Sequence, residues 1–242
     1  MMASRDLAVV AGASGSIGAA IAGRLKDTMR VIATHNARPP GPADPNVLWV
    51  QFDAHDPESA QRLSETVAST GLRLSALFFC IGAPSSKQLI GETEAREFGD
   101  VYATNAAAFP ATWQALRVQA RAGSSSVVVL GSEASRTKRV GNAPYTAAKV
   151  ALEAIVQTLA REEMDAGVRV NVVSPSLVAS ALAEEVLRRK GIRDFDAYYR
   201  ALPWARALTP DEVAHVAVDV ALGAQWRYAT GQIFRLAVAH DD

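Results

Sequence analysis

Two polar side chains, Tyr145 and Lys149, lie four residues apart in the largely apolar stretch NAPYTAAKVALEAIVQTLA. That spacing places both on one face of a helix, one turn apart. A tyrosine with its ordinary pKa near ~10 is a poor acid or base at neutral pH, but a nearby ammonium group lowers that pKa. Such a pair can give a proton to a carbonyl oxygen or take one from an alcohol. Taken alone, the pattern also fits an interface tyrosine beside a solvated lysine.

The glycine turn AGASGSIG at residues 11–18 is a second segment that can do chemistry. It follows a predicted strand and opens a predicted helix, which is the context of a dinucleotide-binding turn. The N–H groups and positive dipole at the start of that helix favour an anion such as a pyrophosphate. The alternative is a plain turn between strand and helix. The expected cofactor contacts in this turn are Gly12, Ser14, Gly15, Ser16, Ile17 and Gly18.

The end of the second predicted strand, ATHNAR, bears on which dinucleotide binds. NAD-selective sites usually place Asp or Glu here, and this stretch has His35, Asn36 and Arg38 but no carboxylate. Arg38 can form a charge-assisted pair with a 2′-phosphate, so NADP(H) is favoured and NAD(H) is the alternative. Arg38 can equally be a solvated loop charge, and His35 either stacks on adenine or faces solvent.

Short apolar runs alternate with helical patterns along the chain. Seven runs are typical of buried strands, at residues 7–11, 30–34, 46–52, 74–81, 125–131, 167–174 and 231–238. Helical spacing is clearest at residues 94–120 and 145–166, and the longest irregular region is expected at 176–203. Continuous apolar strands alternating with helices indicate a parallel sheet covered on both faces. We expect a single α/β domain over residues 1–242, with a doubly wound, mostly parallel seven-stranded sheet (a Rossmann fold).

Composition and charge exclude several classes of protein. Of the 242 residues 49% are hydrophobic, and 25 basic residues balance 25 acidic ones. Balanced charge provides no net field for nucleic acid or an anionic membrane, and no apolar run approaches the ~18 residues of a membrane helix. The single cysteine, Cys80, cannot form an internal disulfide, and the first residues lack a signal-peptide core. We expect a cytoplasmic protein with no nucleic-acid, membrane or metal partner.

Further motifs accompany the glycine turn and the tyrosine–lysine pair. FDAHDPES carries Asp53, YATNAAAF carries Asn105, and VVVLGSEAS carries Ser132, thirteen residues before Tyr145. RVNVVSPSLVAS and TGQ follow near the end of the chain, the former with Asn171 and Pro175. In this order the motifs resemble those of the short-chain dehydrogenase/reductase family, and the resemblance covers nearly the whole chain.

The resemblance implies catalytic roles for four residues. Tyr145 would be the proton donor or acceptor, and Lys149 would bind the nicotinamide ribose and tune Tyr145. Ser132 would hydrogen-bond the substrate oxygen, and Asn105 would hold a water that links Lys149 to solvent. The alternatives from the residues alone are a serine that caps a strand end and a buried asparagine that pairs with backbone. The hydride transfer itself belongs to the cofactor.

The resemblance also implies further cofactor contacts and an assembly. Family members commonly form dimers or tetramers through two long central helices, so a homodimer or homotetramer is expected. The contacts expected beyond the glycine turn are His35, Asn36, Arg38, Asp53, Ala54, Cys80, Ile81, Gly82, Tyr145, Lys149, Pro175, Ser176, Val178 and Ser180.

The chain departs from the family pattern at several positions. FCIG replaces the usual Asn-Asn-Ala-Gly, so Gly82 is kept, the asparagine hydrogen bonds are lost, and Cys80 is expected to pack as a small hydrophobic residue. Ser176 follows Pro175 where glycine is usual, and Ser180 stands near a threonine that often bonds the carboxamide. RLAVAHDD lacks the usual Asp-Gly-Gly. The glycine spacing resembles the extended branch of the family, whereas chain length and YTAAK resemble the short branch, which we favour.

Residues 176–203 are expected to cover the site as a lid. The large apolar side chains of this segment, together with Trp204 just beyond it, either line a pocket or form the buried side of one or two lid helices. We favour the lid helices. The residues are Leu177, Leu182, Val186, Phe195, Tyr198, Tyr199 and Trp204. The basic runs 188–190 and 136–139 can attract an anionic substrate or the phosphopantetheine of an acyl carrier. For the first run, a solvated helix end is the simpler interpretation.

Three functions are consistent with these features. The favoured one is an NADP(H)-dependent reductase of a carbonyl, or dehydrogenase of a secondary alcohol, acting on a small ketone or a 3-oxoacyl group. The second is a nicotinamide-using epimerase or dehydratase, which normally has a larger C-terminal substrate domain. The third is a non-catalytic NADP(H)-binding sensor, which has no need to keep Ser132, Tyr145 and Lys149 together.

Overall fold

The structure is a computed structural model that describes residues 6–36 and 43–237. Its strands are β1 (Asp6–Ala11), β2 (Arg30–His35), β3 (Val47–Gln51), β4 (Arg73–Phe79), β5 (Ser126–Leu130), β6 (Arg169–Pro175) and β7 (Ile233–Leu236). They form one sheet in the order β3-β2-β1-β4-β5-β6-β7, and every neighbouring pair is parallel. The predicted doubly wound parallel sheet is therefore confirmed, and the predicted strand ends agree to within two residues.

The helices fill the connections between the strands. They are α1 (Ser16–Leu25), α2 (Pro57–Ser69), α3 (Ala95–Tyr102), α4 (Ala108–Gly123), α5 (Ala134–Thr137), α6 (Ala143–Glu162), α7 (Ala181–Arg189), α8 (Phe195–Arg200) and α9 (Pro210–Leu222). Local sequence sets several starts. Thr209 and Glu212 form a reciprocal capping box at α9, with Pro210 in the first turn, where its missing N–H costs nothing.

Two hydrophobic layers enclose the sheet, because side chains alternate between its faces along each strand. In β1, Leu7 and Val9 face one layer while Ala8 and Val10 face the other, and all four are fully buried. Helices α2, α4 and α6 cover the first face, and α1 and α9 cover the second. Strands buried on both faces explain why the sequence shows continuous apolar runs rather than alternation.

The strand order reverses between β1 and β4, which leaves a crevice at the carboxyl ends of the strands. The glycine turn follows β1, residues 80–82 follow β4, Ser132 follows β5 and Ser176 follows β6. The topology thus brings to one edge of the sheet residues that are far apart in the sequence.

Two expectations about local structure need correction. The continuous helix expected at 94–120 is divided between α3 and α4 by a wider π-helical turn at Ala103–Ala107. The region 176–203, expected to be the longest irregular segment, contains α7 and α8, whose first turns are capped by Ser180 and Asp194. None of the helices described is both long and apolar enough to cross a membrane.

Candidate active site

Ser132 and Tyr145 meet at the carboxyl edge of the sheet. Ser132 lies two residues beyond β5, and Tyr145 lies in the first turn of α6, which begins at Ala143. The Ser132 hydroxyl is a hydrogen-bonding neighbour of the Tyr145 phenol and acts on its pKa. Burial raises the pKa of the Tyr145 phenol above its ordinary value, and the hydrogen bond to Ser132 opposes that shift. The sequence-based expectation of a lowered pKa at Tyr145 is therefore wrong for this structure, because the desolvation of the phenol dominates.

Lys149 lies one helical turn beyond Tyr145 and is 3% exposed. Its Nζ is 5.7 Å from the centroid of the Tyr145 ring and donates a hydrogen bond of 3.0 Å to the carbonyl oxygen of Leu130, the last residue of β5. Burial lowers the pKa of Lys149 to about 8, while Cys80 and the carboxylate of Glu153 act in the opposite direction. The ammonium group is thus held at the strand end beside the tyrosine.

Asn105 lies at the centre of the π-helical turn and is fully buried. Its Oδ1 accepts from the N–H of Ala83 at 3.1 Å, and its Nδ2 donates to the carbonyl oxygens of Ala83 and Val101, both at 3.0 Å. The wider turn interrupts the regular helix at this asparagine, as π-turns often do at functional positions. The observed contacts are those of the backbone-pairing alternative, and the water-holding role stays a prediction.

Gly82 lies close to the side chains of both Asn105 and Lys149. A Cβ at Gly82 would lie 3.0 Å from Asn105 Oδ1 and 3.8 Å from Lys149 Nζ, so both side chains border the same stretch of backbone after β4. The backbone after β4 therefore needs the free space at Gly82, the last residue of FCIG. Cys80 packs against the hydrophobic layer, and burial raises the pKa of its thiol to about 12, as expected of a small hydrophobic residue.

A buried carboxylate that the sequence analysis did not select lies behind Lys149. Glu153, one turn further along α6, accepts hydrogen bonds from Ser135 Oγ at 2.6 Å and Ser174 Oγ at 3.1 Å, and lies 3.5 Å from Arg235 Nη2. These contacts join α6 to the segment that carries Ser132, to β6 and to β7. The signal that could have found Glu153 is its position four residues after Lys149 in a largely apolar helix.

The glycine turn is shaped by two close backbone approaches. Gly12 has φ +83°, and a Cβ there would lie 3.0 Å from the backbone of Cys80 and Ile81. A Cβ at Gly18 would lie 2.4 Å from the carbonyl oxygen of Gly12, closer than real Cβ atoms come. Only glycine fits either position without displacing the turn, as the spacing predicted.

The turn is anchored to the next strand and leaves donors free. The N–H of Gly12 donates to Thr34 Oγ1 at 3.0 Å, and that of Ala13 donates to the Thr34 carbonyl oxygen at 2.9 Å. Helix α1 begins without a side-chain cap and without an acidic residue in its first turn, while Ser14, Gly15 and Ser16 are exposed. Uncapped N–H groups at an exposed helix start, beside a turn that excludes side chains, fit the pyrophosphate of a dinucleotide.

Comparisons with known proteins agree with this geometry. A family model described as enoyl-(acyl carrier protein) reductase matches residues 12–236. A 3-oxoacyl-[acyl-carrier-protein] reductase of Synechocystis is 26% identical over 242 residues, which cover 96% of this chain and 95% of that protein. An oxidoreductase of the short-chain dehydrogenase/reductase family from Burkholderia thailandensis superposes with a TM-score of 0.82 at 26% identity, covering 96% and 91% of the two chains.

The chain belongs to the short-chain dehydrogenase/reductase family. It is therefore an NAD(P)-dependent oxidoreductase. The actinorhodin polyketide ketoreductase, solved with NADPH, shares the fold, with a TM-score of 0.86, 23% identity and 98% coverage of both chains.

In this dehydrogenase/reductase, the residues expected around adenine are placed as follows. His35 ends β2 and packs its ring against the edge of Trp49, with the centroids 6.2 Å apart, and Asn36 is exposed beside it. The Asp53 carboxylate accepts the N–H of His55 at 2.9 Å, and Ala54 packs against the first hydrophobic layer. Arg38 lies outside the described residues.

The residues expected around nicotinamide lie at the ends of β4 and β6. Ile81 and Gly82 follow β4, and Pro175 ends β6, where the N–H of Ser176 donates to Leu236 at 2.8 Å. Val178 is buried and bridges to Leu208, and Ser180 caps α7 by accepting from Ala183 at 3.3 Å. Ile17 packs in the second hydrophobic layer, so its side chain belongs to the core.

Asn171 has a structural part in this fold. It is fully buried in β6, where its Nδ2 donates to the carbonyl oxygen of Ala229 at 2.8 Å and its Oδ1 accepts from the N–H of Gln232 at 3.0 Å. These bonds fix the TGQ turn that leads into β7, so Asn171 orders the last strand.

The segment 176–203 mixes buried and exposed apolar side chains. Ala183 and Leu187 form the buried side of α7, whereas Leu182 and Trp204 are exposed. The hydroxyl of Tyr199 is buried and has no hydrogen-bond partner among the described residues. The expected lid helices are present, but the buried side of α7 is formed by Ala183 and Leu187, which the sequence analysis did not select, and Leu182 and Trp204 are not part of a buried side.

Local carboxylates pair with three of the six cations in the two basic runs. Arg188 and Arg189 pair with Glu184 and Glu185 on α7 at distances from 2.9 to 3.3 Å. Arg136 pairs with the buried Glu133 one turn before it. Two of the three cations in the first run are therefore paired with acids of the same helix, which favours the solvated helix end for that run.

Proposed function

We propose that this protein is an NADP(H)-dependent carbonyl reductase in which Tyr145 gives the proton to the substrate oxygen. The observation that carries the proposal is the meeting of Ser132, which follows β5, with Tyr145 and Lys149 of α6 at the carboxyl edge of the sheet. A non-catalytic sensor has no need of this arrangement.

The chain's own residues act on the carbonyl oxygen. Burial raises the pKa of the Tyr145 phenol and so favours its protonated form, which is the form that donates to a carbonyl oxygen. Ser132, which neighbours the Tyr145 phenol, orients the same oxygen. Lys149 holds the cofactor ribose and returns a proton to Tyr145, and Asn105 positions a water beside Lys149. A bound nicotinamide supplies the hydride.

The glycine turn would hold the pyrophosphate of this cofactor, and the end of β2 selects NADP(H). The sequence support is Arg38 and the absence of an acidic residue in ATHNAR. We expect Arg38→Ala to weaken NADPH binding much more than NADH binding, measured by fluorescence titration. Equal losses for the two dinucleotides would remove Arg38 from the 2′-phosphate.

The substrate is a ketone, with 3-oxoacyl compounds as the first group to examine. The support comes from relatives named 3-oxoacyl-[acyl-carrier-protein] reductase and acetoacetyl-CoA reductase. The experiment is a panel of ketones, aldehydes, 3-oxoacyl thioesters and 2-enoyl thioesters, followed by the loss of NADPH absorbance. The enoyl compounds are included because of the matching family model's description. We expect turnover of ketones; NADPH binding without turnover of any compound would favour the sensor.

Whether the acyl group arrives on a carrier is tested with Arg136 and Arg139. Arg139 is exposed, and Arg136 already pairs with Glu133. If the run 136–139 receives phosphopantetheine, changing both arginines to Ala raises the KM of the carrier-bound substrate and not that of the free thioester. Unchanged kinetics for both forms would exclude docking at this run.

We also propose a homodimer or homotetramer through α4 and α6. A groove between these helices is lined by Trp113, Arg117, Ile155 and Leu159, and Val118 and Val150 are exposed nearby. Pairing of this face with the same face of a second copy would cover its apolar side chains. Sedimentation of the purified protein tests it, and a monomer at micromolar concentration would exclude the assembly.

A further inference from the structure

A second lysine, Lys87, lies as close to Tyr145 as Lys149 does. It belongs to the segment between β4 and α3, and its Nζ is 5.3 Å from the centroid of the Tyr145 ring, compared with 5.7 Å for Lys149. Nothing in the sequence motifs selects Lys87, because 58 residues separate it from Tyr145. The fold alone brings this cation to the candidate site.

The ammonium group of Lys87 is held in place by the residues around it. Nζ donates to Oδ1 of Asn142, which also accepts from Ser85 Oγ at 3.3 Å. Asn142 immediately precedes α6 and is three residues from Tyr145, so Lys87 is fixed relative to the phenol. The backbone of Lys87 has φ +70°, a left-handed conformation that a non-glycine residue adopts only at some cost. The surrounding contacts therefore hold the residue in a specific position.

The positive charge of Lys87 is not neutralised within the described part of the chain. Its hydrogen-bond partner is a neutral amide, and no carboxylate forms an ion pair with it there. The nearest acid that acts on it, Glu97, already accepts the N–H of Ser86 at 2.6 Å. Arg189 reaches the same segment by donating to the Ser85 carbonyl oxygen at 3.3 Å, which adds positive charge.

Burial and the neighbouring cations Arg189 and Lys190 lower the pKa of Lys87 to about 8, so the group is still charged at neutral pH. A half-buried charge without a counter-ion is unfavourable unless something anionic comes to it. The cofactor's pyrophosphate belongs at the glycine turn after β1, whereas Lys87 lies beside the tyrosine that would meet the carbonyl oxygen. An anionic group on the substrate would supply a counter-charge at this position.

We propose that Lys87 binds a carboxylate of the substrate and so selects short keto acids over neutral ketones. The inference rests on the proposed carbonyl reduction and names the substrate class for that same site. The carboxylate and the carbonyl must be separated by only a few atoms, because one contacts Lys87 Nζ and the other the hydroxyl of a ring 5.3 Å away. A phosphopantetheine phosphate, at the far end of a long arm, does not meet this requirement.

The test compares three keto acids, pyruvate, acetoacetate and levulinate, with their methyl esters. Binding of each compound to the NADPH complex of Tyr145→Phe is measured by calorimetry, and kcat/KM is measured with the wild-type chain. We expect at least one acid to be preferred over its ester by about tenfold or more, the usual worth of a hydrogen bond to a charged group. Lys87→Gln should abolish that preference, and Lys87→Arg, which keeps the charge, should retain most of it.

Lys26→Gln is the matched control, because Lys26 is at the far end of α1 and pairs with Asp44 at 2.8 Å. The proposal is overturned if no acid is preferred in the binding measurement. It is also overturned if Lys87→Gln weakens acid and ester equally, or if that variant weakens NADPH binding in the absence of substrate. Preferential binding of an acid without turnover would leave the role of Lys87 standing and refute the proposed reduction instead.

Discussion

The carboxyl edge of the sheet has two halves, one formed by backbone groups and the other by buried side chains. The half after β1 is made of backbone: the clearances at Gly12 and Gly18 and the uncapped start of α1. The half after β4, β5 and β6 is made of buried side chains, in which Lys149, Asn105 and Glu153 are bonded to strand ends and neighbouring loops. A polyanion needs donors and space, whereas proton transfer needs groups of defined protonation at fixed distances.

The two halves should therefore respond to different kinds of substitution. A backbone cradle is changed only by adding atoms where none fit. A side-chain site is changed by removing one functional group or by altering the electrostatics around it. The predictions below use this contrast, because each variant should affect mainly one half.

The largest effect is expected from Tyr145→Phe, which removes the hydroxyl of the proposed proton donor and leaves the ring. We expect kcat to fall by about 10²–10⁴-fold, the usual contribution of general acid catalysis. The dissociation constant for NADPH should change little, because the cradle after β1 is untouched. Steady-state kinetics and fluorescence titration measure the two quantities. Tyr228→Phe, at a fully exposed position, is the control. If Tyr145→Phe weakened NADPH binding by as large a factor as it lowered kcat, the two halves would not be separable.

Gly18→Ala tests the cradle. Its added Cβ would lie 2.4 Å from the Gly12 carbonyl oxygen, so the turn must shift. We expect the free energy of unfolding to fall by about 1–3 kcal/mol, with weaker NADPH binding. Urea unfolding and cofactor titration give both values.

Gly23→Ala is the matched control in the same helix, because a Cβ there meets nothing within 4 Å. It should raise stability by up to about 1 kcal/mol, since alanine favours helix over glycine. If the two variants are equally stable, the close approach at Gly18 does not govern the turn.

The pH dependence of reduction tests the catalytic half. Burial lowers the pKa of Lys149 from 10.5 to about 8, so its charge is complete well below pH 8 and is lost as the pH rises through 8. We expect kcat/KM for carbonyl reduction to be level at neutral pH and to decline above about 8. Lys26→Gln should leave the midpoint in place. A profile that is flat to pH 10 would contradict the requirement for a charged Lys149.

Glu153→Gln should give the smallest effect and the most specific one. The Glu153 carboxylate raises the pKa of Lys149, so its neutralisation should move the alkaline decline to lower pH. The loss of its contacts to Ser135, Ser174 and Arg235 should also lower kcat modestly. Glu162→Gln, an exposed position in the same helix, is the control. An unchanged midpoint in Glu153→Gln would make that residue purely structural.

Most of the fold could be predicted from the sequence because its signals are local. Each buried strand is a continuous apolar run, and the glycine spacing at 12, 15 and 18 reports a steric requirement within one turn. The π-helical turn at Asn105 could not be predicted, because one extra residue in a turn hardly changes the apolar spacing. Within 176–203 the sequence indicated one or two lid helices but not the bounds of α7 and α8, because short helices with few buried residues have weak periodicity.

The sequence by itself determined the order of the strands along the chain, the cradle after β1 and the pairing of Tyr145 with Lys149 on one helix. These features depend on neighbours a few residues apart, where helix and strand geometry fix the distances. Only the tertiary structure decided that Lys87 and Asn142 lie beside Tyr145, that Glu153 contacts Arg235, and that the pKa of Tyr145 is raised rather than lowered. Those outcomes depend on burial and on contacts between distant segments, which exist only once the sheet has been assembled.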